Sequence, residues 1–435
     1  MSTQTILPID RQSVVELSRS KQEPEWMTAL RTEALELAGS LELPSLTKTP
    51  IERWNLKFDG GYKAALPVDQ PDRLPEKVRN LLDDAIHPEN VLVHYNSGVV
   101  YNSLSPELSA KGVVFTDLET ALREHPELVK KYFMTCINKE ENLVTALHAA
   151  LWSGGVFLYV PKNVDVDAPI QALFYADDPT TRFVPHVLIV ADDNSSVTFA
   201  EHYVSGDMDG GMVLNGIVEV IVKSGASVHF ATTHHFQPSV TDLTYRRAHV
   251  ENDGRIHWLI GEMNLGNSMS ETTSKLIGNG ASSNMKVISV GTGEQMMNIT
   301  TKAVHIGKAT ESEMTTRAVM RDQATAIING ITKIEKGATG SNGEQAEKVL
   351  MLSPRARGDA NPILLIDEDD VKAGHAASVG QVSEEHIYYL MSRGISREQA
   401  TKLIIYGFLA PVVAEIPISR MQEQLQALVE RKLGQ

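Results

Sequence analysis

Apolar and polar positions along the chain change their spacing twice. Up to about residue 154 the apolar residues recur at helical steps. In "PEWMTALRTEALELAGSLEL", Met27, Leu30, Ala34, Leu37, Ala38 and Leu41 fall on one side of a helix, with Pro24 near its start and Gly39 and Pro44 at its end. Further helical patches lie at Glu76–Asp84, Asp117–Glu124 and Glu127–Thr135. "VLVHYNSGVVYNS" alternates as a hairpin, with Asn96, Ser97 and Gly98 at its turn. From 155 to 382 the helical period gives way to short alternating runs rich in Val, Ile and Thr, such as "HVLIVAD", "SSVTFAEHYV" and "MKVISVG". From 383 to 435 it returns. Ser383 opens one helix, and Ser396 with Gln399 and Ser419 with Gln422 form capping boxes for two more. The pattern predicts three regions: an α+β region over 1–154, a strand core over 155–382 and a helical subdomain over 383–435.

The strand region carries a repeat. Small-residue turns return as "KSGASVHF", "NDGRIHWL", "GNGASSNMKV", "GKATESEM", "RDQATAIING" and "EKGATGSNGE". Gly225, Gly254 and Gly280 stand 29 and 26 residues apart, and Ala309, Ala324 and Ala338 stand 15 and 14 apart. Hairpins of a β-sandwich recur every 8–12 residues or so. The longer period, divisible by two, favours a β-helix of stacked rungs. Such a coil ends in a rung with unpaired backbone groups, which must be capped or must recruit another chain.

Composition narrows the function. The formal net charge of −15 lacks the basic stripe of a nucleic-acid binder. The N-terminus has no secretory pattern, and "LIIYGFLAPVVAEI" is too short to span a bilayer and is interrupted by Pro411, so a cytoplasmic location is expected. Cys136 stands alone. One cysteine excludes disulfides within the chain and any multi-cysteine metal site made from this chain alone, and a buried small residue is its plain reading. "GTGEQM", "GATGSNGEQ" and "GNGASS" lack the Lys-Ser/Thr of a phosphate loop and read as rung turns, so no ATP site is expected. His202, His229, His234, His235, His249 and His257 cluster in the strand region without a metal-ligand spacing. "DEDD", Asp367–Asp370, reads as a solvated acidic turn. In "VKAGHAASVGQ", His375 is surrounded by Gly374, Ala376, Ala377, Ser378 and Gly380. A turn histidine bonded to backbone would fit, and so would a ligand left open to another surface.

The stretch "EKVLMLSPRARGDANPILLIDEDDVKAGHAASVGQVSEEHIYYLMSRGISREQATKLIIYGF" resembles the C-terminal signature of the SufB/SufD family of iron–sulfur cluster assembly scaffolds, most like its SufD members. The frame covers about 60 residues, and the upstream strand repeats fit the same family. The resemblance implies a mainly β protein: a right-handed parallel β-helix core with a helical N-terminal domain and a C-terminal helical subdomain. It implies a non-catalytic scaffold with a SufB-like paralogue and a SufC-like ATPase as partners, the ATPase docking on the C-terminal helices, where Arg393, Tyr406, Gly407 and Phe408 are the candidate contacts. A homodimer is the alternative assembly of the isolated chain. The family's functional histidine falls on His375, placing a transient iron–sulfur cluster at the subunit interface, shared with the partner. Some SufD-like proteins carry a cysteine two residues earlier, where this chain has Ala373, so imidazole is the soft donor this segment offers. Clusters are held mainly by thiolates, with His replacing Cys in places, so the remaining ligands would come from the neighbouring chain. Two other functions are compatible with a β-helix: polysaccharide cleavage, which would need clustered acids on one rung face, and a purely structural homo-oligomer.

Overall fold

The computed structural model describes residues 9–54, 56, 58, 60–85, 89–415 and 419–434. Its core is a parallel β-helix of about eight turns. One sheet contains Asp165–Ala176, Ser196–Ser205, Ser227–His235, Arg255–Glu262, Ser282–Gly291, Glu311–Met320, Asn342–Met351 and Lys372–Gln381. The other contains Gly155–Val160, His186–Ala191, Met212–Val222, Val240–Val250, Ser268–Leu276, Met296–His305, Thr325–Ile334 and Arg357–Ile366. The chain crosses between sheets at every turn, so successive strands in sequence alternate sheets while each strand pairs in parallel with the next rung's strand. Pairing partners such as Arg255 with Ser282 and Glu311 with Asn342 are one rung apart. Two strands per rung explain the halved spacing of the turn alanines.

The turns explain the small residues. At one corner Asn163, Asn194, Gly225, Asp253, Gly280, Ala309 and Gly340 all adopt left-handed backbone, φ between 51° and 74°. The backbone N–H of each rung's corner residue donates to a carbonyl of the following rung, as from Asp253 to Asn279 and from Gly280 to Lys308. Only Gly tolerates this conformation freely, with Asn and Asp next. The glycine-rich motifs at 280, 293 and 340 are therefore corners, as their composition predicts.

Alternation sorts each strand into an inner and an outer face. The inner face of the first sheet stacks Phe199, Phe230, Trp258, Met285 and Met314 in register, rung on rung. These join Val187, Val220, Ile299 and Ile328 from the facing sheet in one apolar core.

The two ends differ. At the beginning, Gly98–Ser103 pairs antiparallel with Val91–Tyr95, which in turn pairs parallel with Asp165–Ala176, so the predicted hairpin extends the first sheet. Val114–Thr116 closes the second sheet antiparallel to Gly155–Val160. Helices Glu25–Ala38 and Leu143–Leu151 pack beside this end, burying Met27, Ala34, Ala38 and the whole of the second helix. At the other end, Arg357–Ile366 and Lys372–Gln381 each have one neighbouring strand and no cover among the described residues. Ile363, Leu365, Ile366 and Val379 are exposed there.

Three C-terminal helices, Glu384–Ser392, Arg397–Val413 and Ser419–Gly434, leave the last rung. Ser383 caps the first, and Ser396 with Gln399 forms the expected capping box of the second. The expected box at Ser419 involves side chains outside the described set. The second and third helices return over the outer face of the first sheet. Ile405, Leu409, Val412, Leu425 and Val429 bury Ala200, Ala231, Leu259, Ile288 and Val319 there. Among the described residues no helix is long and apolar enough to cross a membrane.

Candidate functional site at the open end

His375 lies in Lys372–Gln381, the last strand of the first sheet, paired with Gln345. Gln345 is buried and spans the lumen: it accepts a hydrogen bond from Thr332 Oγ1 at 2.8 Å and donates to the Gly330 carbonyl at 3.2 Å. In a parallel ladder paired residues share a face, so His375 continues the inner column of Phe230, Trp258, Met285, Met314 and Gln345. No rung covers it, and it is exposed. The small residues around it leave its approach unobstructed, as their composition suggests.

The backbone at this edge is equally available. Lys372 N–H donates to Ser341 and Val382 N–H to Met351. Even-numbered residues therefore bond inward, and the N–H groups of Ala373, His375, Ala377, Val379 and Gln381 point away from the β-helix. An open edge with exposed apolar side chains is suited to pairing with another strand.

A groove of about 650 Å³ runs along the outer face of the same sheet to the last rung, lined in part by His257, Glu311, Glu313, Glu344 and His375. "DEDD" is a turn as read, and Glu368 accepts from the Gly337 N–H. Cys136 is buried, and loss of solvation pushes its thiol well up, which keeps it protonated and inert.

The strand histidines do not form one centre. His229 and His257 stack at 4.4 Å on the outer face. His234 is inside, its Nδ1 2.7 Å from Asp242 Oδ2 and its Nε2 2.6 Å from Arg246 Nη2. His234, Asp242 and Glu262 are close enough to surround an ion. Both ring nitrogens of His234 are already used, however, and Arg246 brings its own positive charge, bonding Ser270 at 2.8 Å and standing 3.4 Å from Glu262. This is an internal ion-pair network, and Glu201 adjoins it. Burial pushes the Glu201 carboxyl up to about 7, and neither of its oxygens has a hydrogen-bond partner. Lys432 of the last helix reaches in from outside and donates to the carbonyls of Asn264 and Val290; burial lowers its ammonium to about 7. A second buried acid, Glu347, sits on the inner face one rung below the open end and is likewise raised to about 7 by burial.

The C-terminal candidates divide. Arg393 is exposed and stacks on Tyr389, 5.2 Å from its ring centre. Gly407 is exposed. Tyr406 and Phe408 are half-buried against the sheet, and the Phe408 carbonyl accepts from Arg317. Among the described residues, the large apolar side chains left uncovered in these helices are Tyr388, Tyr389, Met391 and Leu403.

A model described as the SUF system FeS cluster assembly SufBD core domain matches residues 174–408, and one described as the SufBD protein N-terminal region matches 16–172. The chain belongs to the SufBD family. It is 46% identical to the iron–sulfur cluster assembly protein SufD of Bacillus subtilis, over the full length of both chains. It is 31% identical to an iron–sulfur cluster assembly SufBD family protein of Staphylococcus epidermidis, over 93% of this chain and 89% of that one. The chain is thus a SufD-like cluster-assembly protein, and the SufBD core model includes the open rung and His375. The internal acids Glu201 and Glu347 of this SufBD member were not legible as site residues. The signal was present as charges inside alternating strands, in "SVTFAEHYV" and "NGEQAEKVL", but their inward orientation needs the rung register to be seen.

Proposed function

We propose that this chain is a non-catalytic scaffold subunit that presents His375 at the open end of its β-helix to a SufB-like paralogue. The imidazole supplies one ligand to a nascent iron–sulfur cluster, and the partner supplies thiolate. A chain with one buried cysteine cannot complete the coordination alone. A SufC-like ATPase docks on the C-terminal helices, using the exposed Tyr388, Tyr389, Arg393 and Leu403 together with the predicted Tyr406–Phe408 segment, and performs the nucleotide chemistry in the cytoplasm. The observation that carries the reading is an exposed histidine on the inner face of an unpaired terminal rung.

The test is anaerobic reconstitution of the three-subunit complex, with iron and sulfide counted per chain. His375→Ala is expected to lower cluster yield several-fold while the subunits still co-elute at normal stoichiometry. An undiminished yield would remove His375 from the assembly chemistry.

A further inference from the structure

Glu347 has no role in the reading above, and its setting is unusual. It is 1% exposed, on the inner face of Asn342–Met351, and its Oε2 has no hydrogen-bond partner among the described residues. Buried carboxylate oxygens are normally paired, because an unmet one costs the full loss of hydration. The neighbouring polar groups do not meet it: Gln345 is committed to Thr332 and Gly330. Thr316, the register partner of Glu347 on the rung below, also has an unpartnered Oγ1. One rung further down stands Val287, part of the apolar core. The polar stretch therefore has a floor.

It also lies one rung from the open end. The residue above Glu347 is Ala377, on the uncovered last strand. Across the lumen, a Cβ on Gly330 would come within 1.9 Å of Glu347 Oε1, so only glycine at 330 leaves the carboxylate its place. Small residues thus stand above and opposite the acid, and Ala377 above it is exposed at the open end.

His375 and Glu347 share that inner face on adjacent rungs, two residues out of register. One rung is about 4.8 Å and two residues are about 6.6 Å, so their Cβ atoms are about 8 Å apart. Each side chain reaches about 3–4 Å beyond its Cβ. One ion bound at about 2.0–2.2 Å from each donor is within reach of both. An imidazole nitrogen beside a carboxylate oxygen suits first-row divalent ions, ferrous iron included.

We propose that Glu347 and His375 form a two-ligand half-site for a divalent transition-metal ion at the mouth of the β-helix, holding ferrous iron as cargo before sulfur arrives from the partner. This rests on the reading of His375 as a cluster-assembly residue and adds to it an internal carboxylate ligand. The half-site leaves coordination positions facing the open end, where a second subunit can complete them. Directly beneath Thr316 the column continues with Val287 of the apolar core, so the ion's route is through the open end.

The experiment titrates the full-length chain with Co(II), reading visible d–d absorption and binding heat. Glu347→Gln keeps the shape and removes the charge; Glu294→Gln, at an exposed corner away from the last rung, is the control. The half-site predicts at least tenfold weaker Co(II) binding and altered d–d bands in Glu347→Gln and in His375→Ala, with Glu294→Gln unchanged. Unaltered affinity and bands in a folded Glu347→Gln overturn the inference. Should that variant fold poorly, Glu347→Asp, one methylene shorter, is expected to bind Co(II) weakly with shifted bands, and wild-type binding there has the same overturning force. Cluster yield separates the two claims. Reduced yield in His375→Ala with unaffected Co(II) binding in Glu347→Gln rejects the half-site and keeps the scaffold role. Full yield in His375→Ala with lost Co(II) binding in Glu347→Gln rejects the scaffold role of His375 and keeps the metal site.

Discussion

Ala309 is the residue least suited to its backbone in the corner column. It holds φ 51° where other rungs place Gly, Asn or Asp. A Cβ in this region costs about 1–2 kcal/mol, and Ala has no polar side chain to offset it. Glycine there would remove the clash but make the unfolded chain more disordered, by about 0.4–1 kcal/mol. The difference favours the folded protein. Ala309→Gly is expected to stabilise by about 0.5 kcal/mol, read as a higher denaturant midpoint at an unchanged slope. A lower midpoint would show that the Ala309 methyl contributes packing that outweighs its strain. The reverse change at Gly225 meets a harder obstacle, since a Cβ there comes within 2.3 Å of Asn194 Oδ1. Corner residues of this kind are what made the fold legible. Their spacing is set by backbone conformation, which composition reports directly. The inner faces were not legible in the same way. His375 draws attention through its small neighbours and the family resemblance, but Glu347 reads in sequence as one more charge on an alternating strand. Which side of the strand it occupies depends on register against strands some 30 residues away, and one slip would reverse it.

At the scale of elements, the last strand and the C-terminal helices carry much of the apolar surface that stays exposed. The helices use their apolar stripe mostly against their own sheet: Ile405, Leu409 and Val412 are buried, and Tyr406 and Phe408 half so. Sequence showed an excess of apolar surface on Arg397–Val413 but not which face meets the sheet, because that depends on how the helix turns back from the final rung. What is left for a partner shifts toward Tyr388, Tyr389 and Leu403. The strand Lys372–Gln381 keeps its outward N–H groups free. Proline is tolerated on an edge where the missing N–H faces outward. Ala377→Pro removes one such donor without breaking a bond to Asn342–Met351, and is expected to change the stability of the isolated chain by less than about 1 kcal/mol. If the SufB-like partner joins by strand addition, the same variant should weaken the heterodimer at least tenfold. Calorimetry on the free chain and affinity measured with the partner distinguish the two effects. Equal affinity of wild type and variant would show that the open rung meets its partner through side chains rather than through backbone pairing.

The whole molecule responds to pH through groups that its β-helix buries uncharged. Burial lowers His94, His202, His249, His257 and His305 to about 4. An unfolded histidine titrates near 6.5. Between pH 6.5 and 4 the unfolded chain therefore binds more protons than the folded one, and the stability these residues allow is lost as pH falls through that window. Glu201 and Glu347 act in the opposite sense. Raised to about 7 from 4.5, they are protonated in the folded state while still ionised in the unfolded one, so they favour folding as pH falls from 7 to 4.5. The individual displacements are of similar size, and five histidines outnumber two acids. The net expectation is a melting temperature that changes little from pH 8 to 6.5 and drops steeply from 6.5 to 4.5. Differential scanning calorimetry at pH 8, 6.5, 5.5 and 4.5 checks it. Glu201→Gln sharpens the test. Glutamine carries no charge to bury, so the variant should be more stable than wild type at pH 8, by roughly 2–3 kcal/mol, and should approach it near pH 4.5. Its acid transition should consequently be steeper. A melting temperature that held steady or rose between pH 6.5 and 4.5 would mean that the buried histidines are protonated in place, and that the interior is a store of paired charge rather than of neutral imidazole.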